Sequence, residues 1–312
     1  MSNLTTVKEF LLLGFSEIRE FQISHGVFFL AFYFATLAGN LLIIKLIAFE
    51  CHLHKPMYFF LLNLALADIG SVSVTIPKSM ANSFFNTRLI TYSECVSQVF
   101  FLIFFMATDL AFLTVMAYDR YVAICSPLHY ETLMTKEFCI QMAAISWTGA
   151  LFYATLHTFG TFATSFCSKV INQFFCEIPQ LLKISCSDHY QIEVGILGFS
   201  GCLAFASFIF IISSYVQIFR AVMKIPSVRG RKKAFSTCIP HFLVVFLFIL
   251  TTAFAYLKPI SNSATDLDLA AAAIYSVVPP LMNPIIYSMR NKEIKIAIRK
   301  YFCFLKTAFC HI

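Results

Sequence analysis

FQISHGVFFLAFYFATLAGNLLII, residues Phe21 to Ile44, runs for 24 positions without an Asp, Glu, Lys or Arg. A helix rises about 1.5 Å per residue, so about 20 apolar residues are enough to cross the hydrocarbon of a bilayer. Phe138 to Ser168, Val194 to Phe219, Ala234 to Leu257 and Leu269 to Met289 are equally free of charge. Tyr58 to Ile76 and Cys95 to Tyr118 each carry one acid, Asp68 and Asp109. Seven spans are therefore predicted. They are helices, because the runs are continuous and lack the short alternation of barrel strands. Composition agrees: of 312 residues 59% are hydrophobic and 12% charged, and Phe occurs 37 times, whereas a water-soluble domain carries about 25% charged residues.

Counting Lys and Arg in alternate connections puts 15 on one side and 6 on the other, and the richer side is expected to be cytoplasmic. The net charge of +7 sits in short stretches between spans, which favours anionic membrane lipid over nucleic acid as its partner. The organisation expected is one seven-transmembrane domain over 1–312. Residues 1–22 form an extracellular amino terminus, 23–289 the bundle and 290–312 a cytoplasmic tail. Residues 1–20 lack the basic start and apolar core of a cleaved signal peptide. In the tail, Ile294, Ile296, Ala297 and Ile298 alternate with Lys292, Lys295, Arg299 and Lys300, which predicts a short amphipathic helix lying on the membrane. The fold class is thus an all-α membrane protein.

Asn3-Leu4-Thr5 is a glycosylation sequon in the expected outer segment. Cys95, Cys167, Cys176 and Cys186 cluster on the same outer face, where disulfides can persist, and four cysteines leave three pairings open. Asp68 and Asp109 are costly in hydrocarbon and so are functional candidates. Asp109 lies about 21 Å inward from Cys95 by helical rise and Asp68 about 18 Å outward from Pro56, depths at which the two can share a polar pocket with Asn40 and Asn283. Such a pocket suits a sodium ion or a shared proton; a static polar network between helices is the alternative. No Ser/His/acid set, Gly-rich phosphate loop or zinc-like spacing occurs, so neither catalysis nor a bound metal is expected. The absence of an internal repeat argues against a transporter.

Taken in order, six motifs resemble the rhodopsin-like G-protein-coupled receptors and, within them, the vertebrate olfactory receptors. They are Gly39-Asn40, LHKPMYFFLLNLALAD (Leu53 to Asp68), MAYDRYVAIC (Met116 to Cys125), Ser214-Tyr215, KAFSTCIPH (Lys233 to His241) and PPLMNPIIYSMRN (Pro279 to Asn291). The resemblance implies disulfides Cys95–Cys176 and Cys167–Cys186. It makes Arg120 the residue released toward a G protein, with Asp119 as its resting partner and Tyr121 beside it. Tyr215 and Tyr287 would close around Arg120, and Asn283-Pro284 would shape span seven. It further implies a plasma-membrane, multi-pass receptor for small volatile odorants, coupled to a stimulatory-type olfactory G protein that raises cyclic AMP.

The chain departs from the family pattern at Phe248-Ile249-Leu250 in span six, at Gln173 before Phe174-Phe175-Cys176-Glu177, and at Pro240 before His241. The expected ligand pocket lies one to two turns inside the outer surface. Leu102, Ile103 and Met106 of span three, Ile178 of the second outer loop, and Ala253 and Tyr256 of span six would line it. Ser200 or His157 would add a hydrogen bond. Nearly all of these are apolar, and no acid lies in the outer part of span three to pair with a cationic amine.

Overall fold

The computed structural model describes residues 7–13, 18–186, 190–256 and 266–309, with side chains given for all of these except 190–194, 253–256, 266–268, 290 and 304–309. Seven long helices form the bundle: α1 (Arg19–Phe49), α2 (Pro56–Phe85), α3 (Tyr92–Cys125), α4 (Lys136–Phe162), α5 (Tyr190–Met223), α6 (Val228–Tyr256) and α7 (Asp266–Arg290). An eighth, α8 (Lys292–Phe309), follows. All seven are long and apolar enough to cross a membrane. In lipid a helix satisfies its own backbone, which is why the apolar runs take this form.

Local chemistry sets the helix ends. Pro56 opens α2 at a first-turn position where no backbone N–H is needed, and Asn86 closes it in the left-handed conformation at φ 52°. Thr91 and Glu94 form a reciprocal capping box at the start of α3. Thr135 caps α4 through the Phe138 amide. Lys45, the first charge after the opening apolar run, does not end α1: its Nζ reaches the Tyr301 hydroxyl at 2.9 Å and the helix continues to Phe49. Gly39 lets α1 approach α7 closely, since a Cβ there would meet Pro284 Cγ at 2.9 Å. Pro279, Pro280 and Pro284 each remove a backbone donor inside α7.

One expectation needs correction in detail. The apolar run Phe138 to Ser168 is helical only to Phe162; beyond it Phe166 bridges Ser185 and Cys167 bonds Cys186, so the last residues belong to the second loop. The all-α bundle carries a small sheet as a local addition. Three short strands, β1 (Glu9–Leu12), β2 (Leu89–Thr91) and β3 (Val170–Ile171), form a sheet in the order β2-β1-β3. β1 is antiparallel to β2, with Glu9 opposite Thr91, and parallel to β3, with Leu11 opposite Val170. Strands of two to four residues are too short for an alternating pattern to register, and their partners lie far away in the chain.

The core has two halves. Toward the Arg120 end, Leu61, Leu64, Phe112, Met116, Val245 and Tyr287 belong to one buried cluster. Toward the disulfide end, Phe29, Val72, Ile76, Leu102 and Tyr275 pack with Phe174 and Phe175 from the second loop.

Candidate functional site

At the end of α3, the guanidinium of Arg120 turns back on its neighbour. Its Nε donates to Asp119 Oδ2 at 2.9 Å and its Nη2 donates to the same oxygen. The other carboxylate oxygen accepts from the Tyr130 hydroxyl at 2.7 Å. Tyr130 belongs to a one-turn helix, Tyr130–Leu133, just after α3. Burial first, and then the Asp119 carboxylate, push the Tyr130 hydroxyl well above its ordinary pKa, so it stays a donor. Asp119 is fully buried and the Arg120 side chain is 11% exposed. A buried ion pair of this kind is held by geometry, and removing one partner strands the other.

A second arrangement joins three spans beside it. His241 of α6 sets Nε2 3.0 Å from the Leu113 carbonyl of α3 and Nδ1 2.6 Å from the Tyr215 hydroxyl of α5. A carbonyl can only accept, so Nε2 carries the hydrogen, Nδ1 is the acceptor, and Tyr215 donates. The same hydroxyl lies 3.3 Å from the Cys238 carbonyl. Tyr121 packs partly buried against Ile218, Val222 and Cys238. Tyr287 is wholly buried, and its hydroxyl has no hydrogen-bond partner among the described residues.

Deeper in the bundle, Asn283 Nδ2 lies 3.0 Å from both oxygens of Asp68. Asp109 is buried within electrostatic reach of Asp68. Asp109 Oδ1 and Asn283 Oδ1 are buried without a hydrogen-bond partner among the described residues. Asn40 turns elsewhere, donating to the carbonyls of Thr36 and Pro280 at 3.1 and 3.0 Å; it ties α1 to α7 just before the buried Pro284. Of the polar residues expected to gather here, three do so and Asn40 braces the helix that carries Asn283.

At the other end, Cys95–Cys176 ties α3 to the second loop and Cys167–Cys186 closes that loop on itself. Gln98 reinforces the first tie, accepting from the Cys176 amide at 2.8 Å and donating to the Val74 carbonyl at 3.1 Å. Tyr275 of α7 donates to Glu177 Oε1 at 2.9 Å. The residues expected to share one face of α3 divide: Leu102 and Met106 pack with Phe174 and Phe175, while Ile103 packs with Cys95, Cys176 and Ile178. The Ser200 hydroxyl lies 2.7 Å from both the Ile196 carbonyl and His157 Nε2, joining α5 to α4. The side chains of Ala253 and Tyr256, and Asn3 altogether, lie outside the described residues. An open cleft of about 620 Å³ lies apart from this set, lined by Leu11, Arg19, Asn86 and Arg88 where β1 meets α1 and α2.

Sequence reasoning did not single out Tyr130, Gln98, Tyr275 or the bond from Trp147 Nε1 to Asn63 Oδ1 at 3.0 Å. Trp147 is the only Trp in the chain, a signal that was available; the others carry none by spacing.

Comparison with known proteins places this arrangement. The family model described as "Olfactory receptor" matches residues 29–304. The human protein named olfactory receptor 14A16 is 48% identical over 299 residues, 96% of each chain. Human olfactory receptor 14C36 is 49% identical over 301 residues, again 96% of each. Among solved structures, squid rhodopsin superposes with a TM-score of 0.75 at 17% identity, covering 93% of this chain and 88% of that one, which establishes the shared fold. The chain belongs to the olfactory receptor family, seven-span G-protein-coupled receptors rather than enzymes.

Proposed function

We propose that this receptor binds small, mostly hydrophobic volatile molecules in the outer half of the bundle and activates a stimulatory-type heterotrimeric G protein, raising cyclic AMP. The observation that carries the reading is the pairing of two unlike halves on one set of helices. The outer half is apolar around Leu102, Met106, Phe174 and Phe175, which suits a ligand held by shape. The inner half keeps the Arg120 guanidinium folded onto Asp119.

A ligand can shift a two-state bundle only by binding one state better than the other. In the state described, Tyr215 is engaged by His241, and Arg120 by Asp119 with Tyr130. In the active state α6 moves away from α3, breaking the His241–Leu113 bond, and Arg120 leaves Asp119 to meet the G protein. Tyr215 and Tyr287 are then free to turn toward the guanidinium. Ser200 is already engaged by Ile196 and His157, so Tyr256 is the hydrogen-bonding group of the proposed pocket, with Ile178 and Ala253 as further proposed lining.

Asp68, Asp109 and Asn283 fit a sodium ion or a shared proton, because two buried acceptor oxygens there lack a donor. A bound cation would supply positive charge between the carboxylates, and its loss would let α3 and α7 rearrange. The whole chain acts as one receptor domain in the plasma membrane, with the disulfide end and Asn3 outside; glycosylation of Asn3 in cells tests that orientation.

The decisive experiment records cyclic AMP in cells that express the full chain with an olfactory-type G protein against a broad panel of volatile molecules. A response lost in Arg120→Ala at equal surface delivery is the expected result. Ion flux without nucleotide exchange would overturn it in favour of a channel. Sodium dependence that persists unchanged in Asp109→Asn would remove the cation site.

A further inference from the structure

The disulfide end of the bundle holds a second concavity, away from the apolar cluster around Leu102. Gly26 of α1 makes room for Phe84, since a Cβ there would meet Phe84 Cε1 at 2.9 Å. The last turn of α2 therefore lies against α1, and Arg19, the first residue of α1, reaches across to its open carbonyls. Arg19 Nη1 donates to the Ser83 carbonyl at 2.9 Å and to Gln22 Oε1 at 3.3 Å, while Nη2 donates to the Phe84 carbonyl. All three acceptors are neutral. A guanidinium has five N–H donors, so Nε–H and one Nη2–H remain unspent among the described residues. No acid among those residues forms an ion pair with Arg19.

Arg19 lines the cleft of about 620 Å³ between β1, α1 and the turn from α2 to β2, a volume within the range of small-molecule sites. Asn86 turns the chain there in the left-handed conformation, at φ 52°, and Thr87, Arg88 and Leu89 follow it along the lining with Leu11 of β1. The described lining holds two arginines and no Asp or Glu. Leu89 is 54% exposed. A narrower recess of about 30 Å³ shares Gln22, Asn86 and Arg88 with the cleft and reaches Phe174. Among the described residues Phe174 is the one member of this lining that also belongs to the apolar cluster around Leu102, so the two concavities are distinct. Positive charge, unspent guanidinium donors and an apolar flank together call for an anion with a hydrocarbon part.

We propose that this cleft is a second ligand site, separate from the odorant pocket, for small organic carboxylates. The carboxylate takes the unspent donors of Arg19 in a charge-assisted pair, Arg88 adds a second positive charge to the lining, and a short alkyl chain lies along Leu11 and Leu89. Such a ligand is ionised at neutral pH, because an ordinary carboxyl group titrates near pH 4 to 5.

The test follows thermal unfolding of the full chain in phosphatidylcholine nanodiscs, at constant ionic strength, with sodium hexanoate or the uncharged hexanamide. It needs neither an odorant nor a G protein, so it stands apart from the signalling reading. Hexanoate at about ten times its apparent dissociation constant should raise the unfolding temperature by about 3 °C, and hexanamide should leave it unchanged. Each variant is read against its own ligand-free value, which separates lost binding from lost stability. R19Q should need roughly tenfold more hexanoate for the same shift. L89E, a change at an exposed position that sets a carboxylate in the cleft, should abolish the shift, and L89Q should keep most of it. No shift of the native chain would overturn the proposal. A hexanamide shift equal to that of hexanoate would also overturn it, since the charge would then play no part. A native-sized hexanoate shift in both R19Q and L89E would overturn it by placing the anion elsewhere.

Discussion

The two ends of the bundle are held by different means. At the Arg120 end, close neighbours in sequence are bonded: Asp119 to Arg120, and Asp119 also to Tyr130 eleven residues on. Tyr215 and His241 are 26 residues apart across a single turn between helices, although the bond from His241 to Leu113 spans 128 residues. At the disulfide end the ties are distant. Cys95 and Cys176 are 81 residues apart, and Leu11 pairs with Val170, 170 − 11 = 159 residues away. The Arg120 end is a set of polar contacts that can be exchanged one for another, whereas the disulfide end is tied covalently. On the proposed reading, recognition at the disulfide end calls for rigidity and switching at the Arg120 end calls for replaceable bonds.

That contrast can be broken first at its strongest point. Cys176→Ser opens a loop of 81 residues, and loop-closure entropy puts the loss at about 4 kcal/mol. Thermal unfolding in detergent should fall by many degrees and surface delivery should collapse. If Cys176→Ser matched the native chain in both, the outer end would owe its order to packing alone. Next, Asp119→Ala leaves the Arg120 guanidinium buried without its carboxylate, a cost of about 3 kcal/mol to the state described. Odorant-independent nucleotide exchange on a purified G protein should then rise by roughly a hundredfold, with unfolding temperature changed much less than by Cys176→Ser.

Smaller effects sharpen the inner end. Tyr130→Phe removes one hydrogen bond to a carboxylate, about 1.5 kcal/mol, and should raise basal exchange about tenfold. A Tyr130→Phe receptor as quiet as the native one would show that Asp119 is held by Arg120 alone. The least effect concerns acid. Burial pushes the Glu293 carboxyl up, but the hydrogen bonds of Lys55 and Tyr58, with the charges of Lys55 and His52, outweigh it and hold the group below its ordinary 4.5. A carboxyl whose pKa is lowered on folding stabilises above its unfolded pKa and loses that contribution as pH falls through the folded one. The attachment of α8, followed by a fluorophore at residue 303, should therefore stay constant from pH 7 to pH 5 and loosen only below the usual glutamate range.

The same contrast explains what could be read from the chain. The seven spans were legible because each is local: apolar length defines a span. The Asp119–Arg120 pairing came instead from the family resemblance that the six motifs carry together. Asp68 and Asp109 could be matched by depth, with Asn283 as a further polar residue, and the structure brings Asn283 within 3.0 Å of Asp68. Depth fixes only one coordinate, however, and Asn40, at a suitable height, faces the Pro280 carbonyl instead. The small sheet was invisible because β3 has two residues. The division of Leu102 and Met106 from Ile103 was invisible as well. The second loop inserts Phe174 and Phe175 on one side of α3 and ties Cys176 on the other, and no spacing within α3 carries that information.

The 159-residue reach from β1 to β3 also has a consequence in time. A chain made at about 5 to 20 residues per second presents Leu11 roughly ten to thirty seconds before Val170 exists. Cys95 likewise waits for Cys176 while α3 and α4 are still entering the bilayer. Asp119, Arg120 and Tyr130, by contrast, are together almost as soon as they are synthesised. The nascent receptor therefore acquires its inner lock before its outer end can close. During that interval the exposed thiol of Cys95 and the unpaired edge of β1 are the groups a folding catalyst or chaperone has to guard.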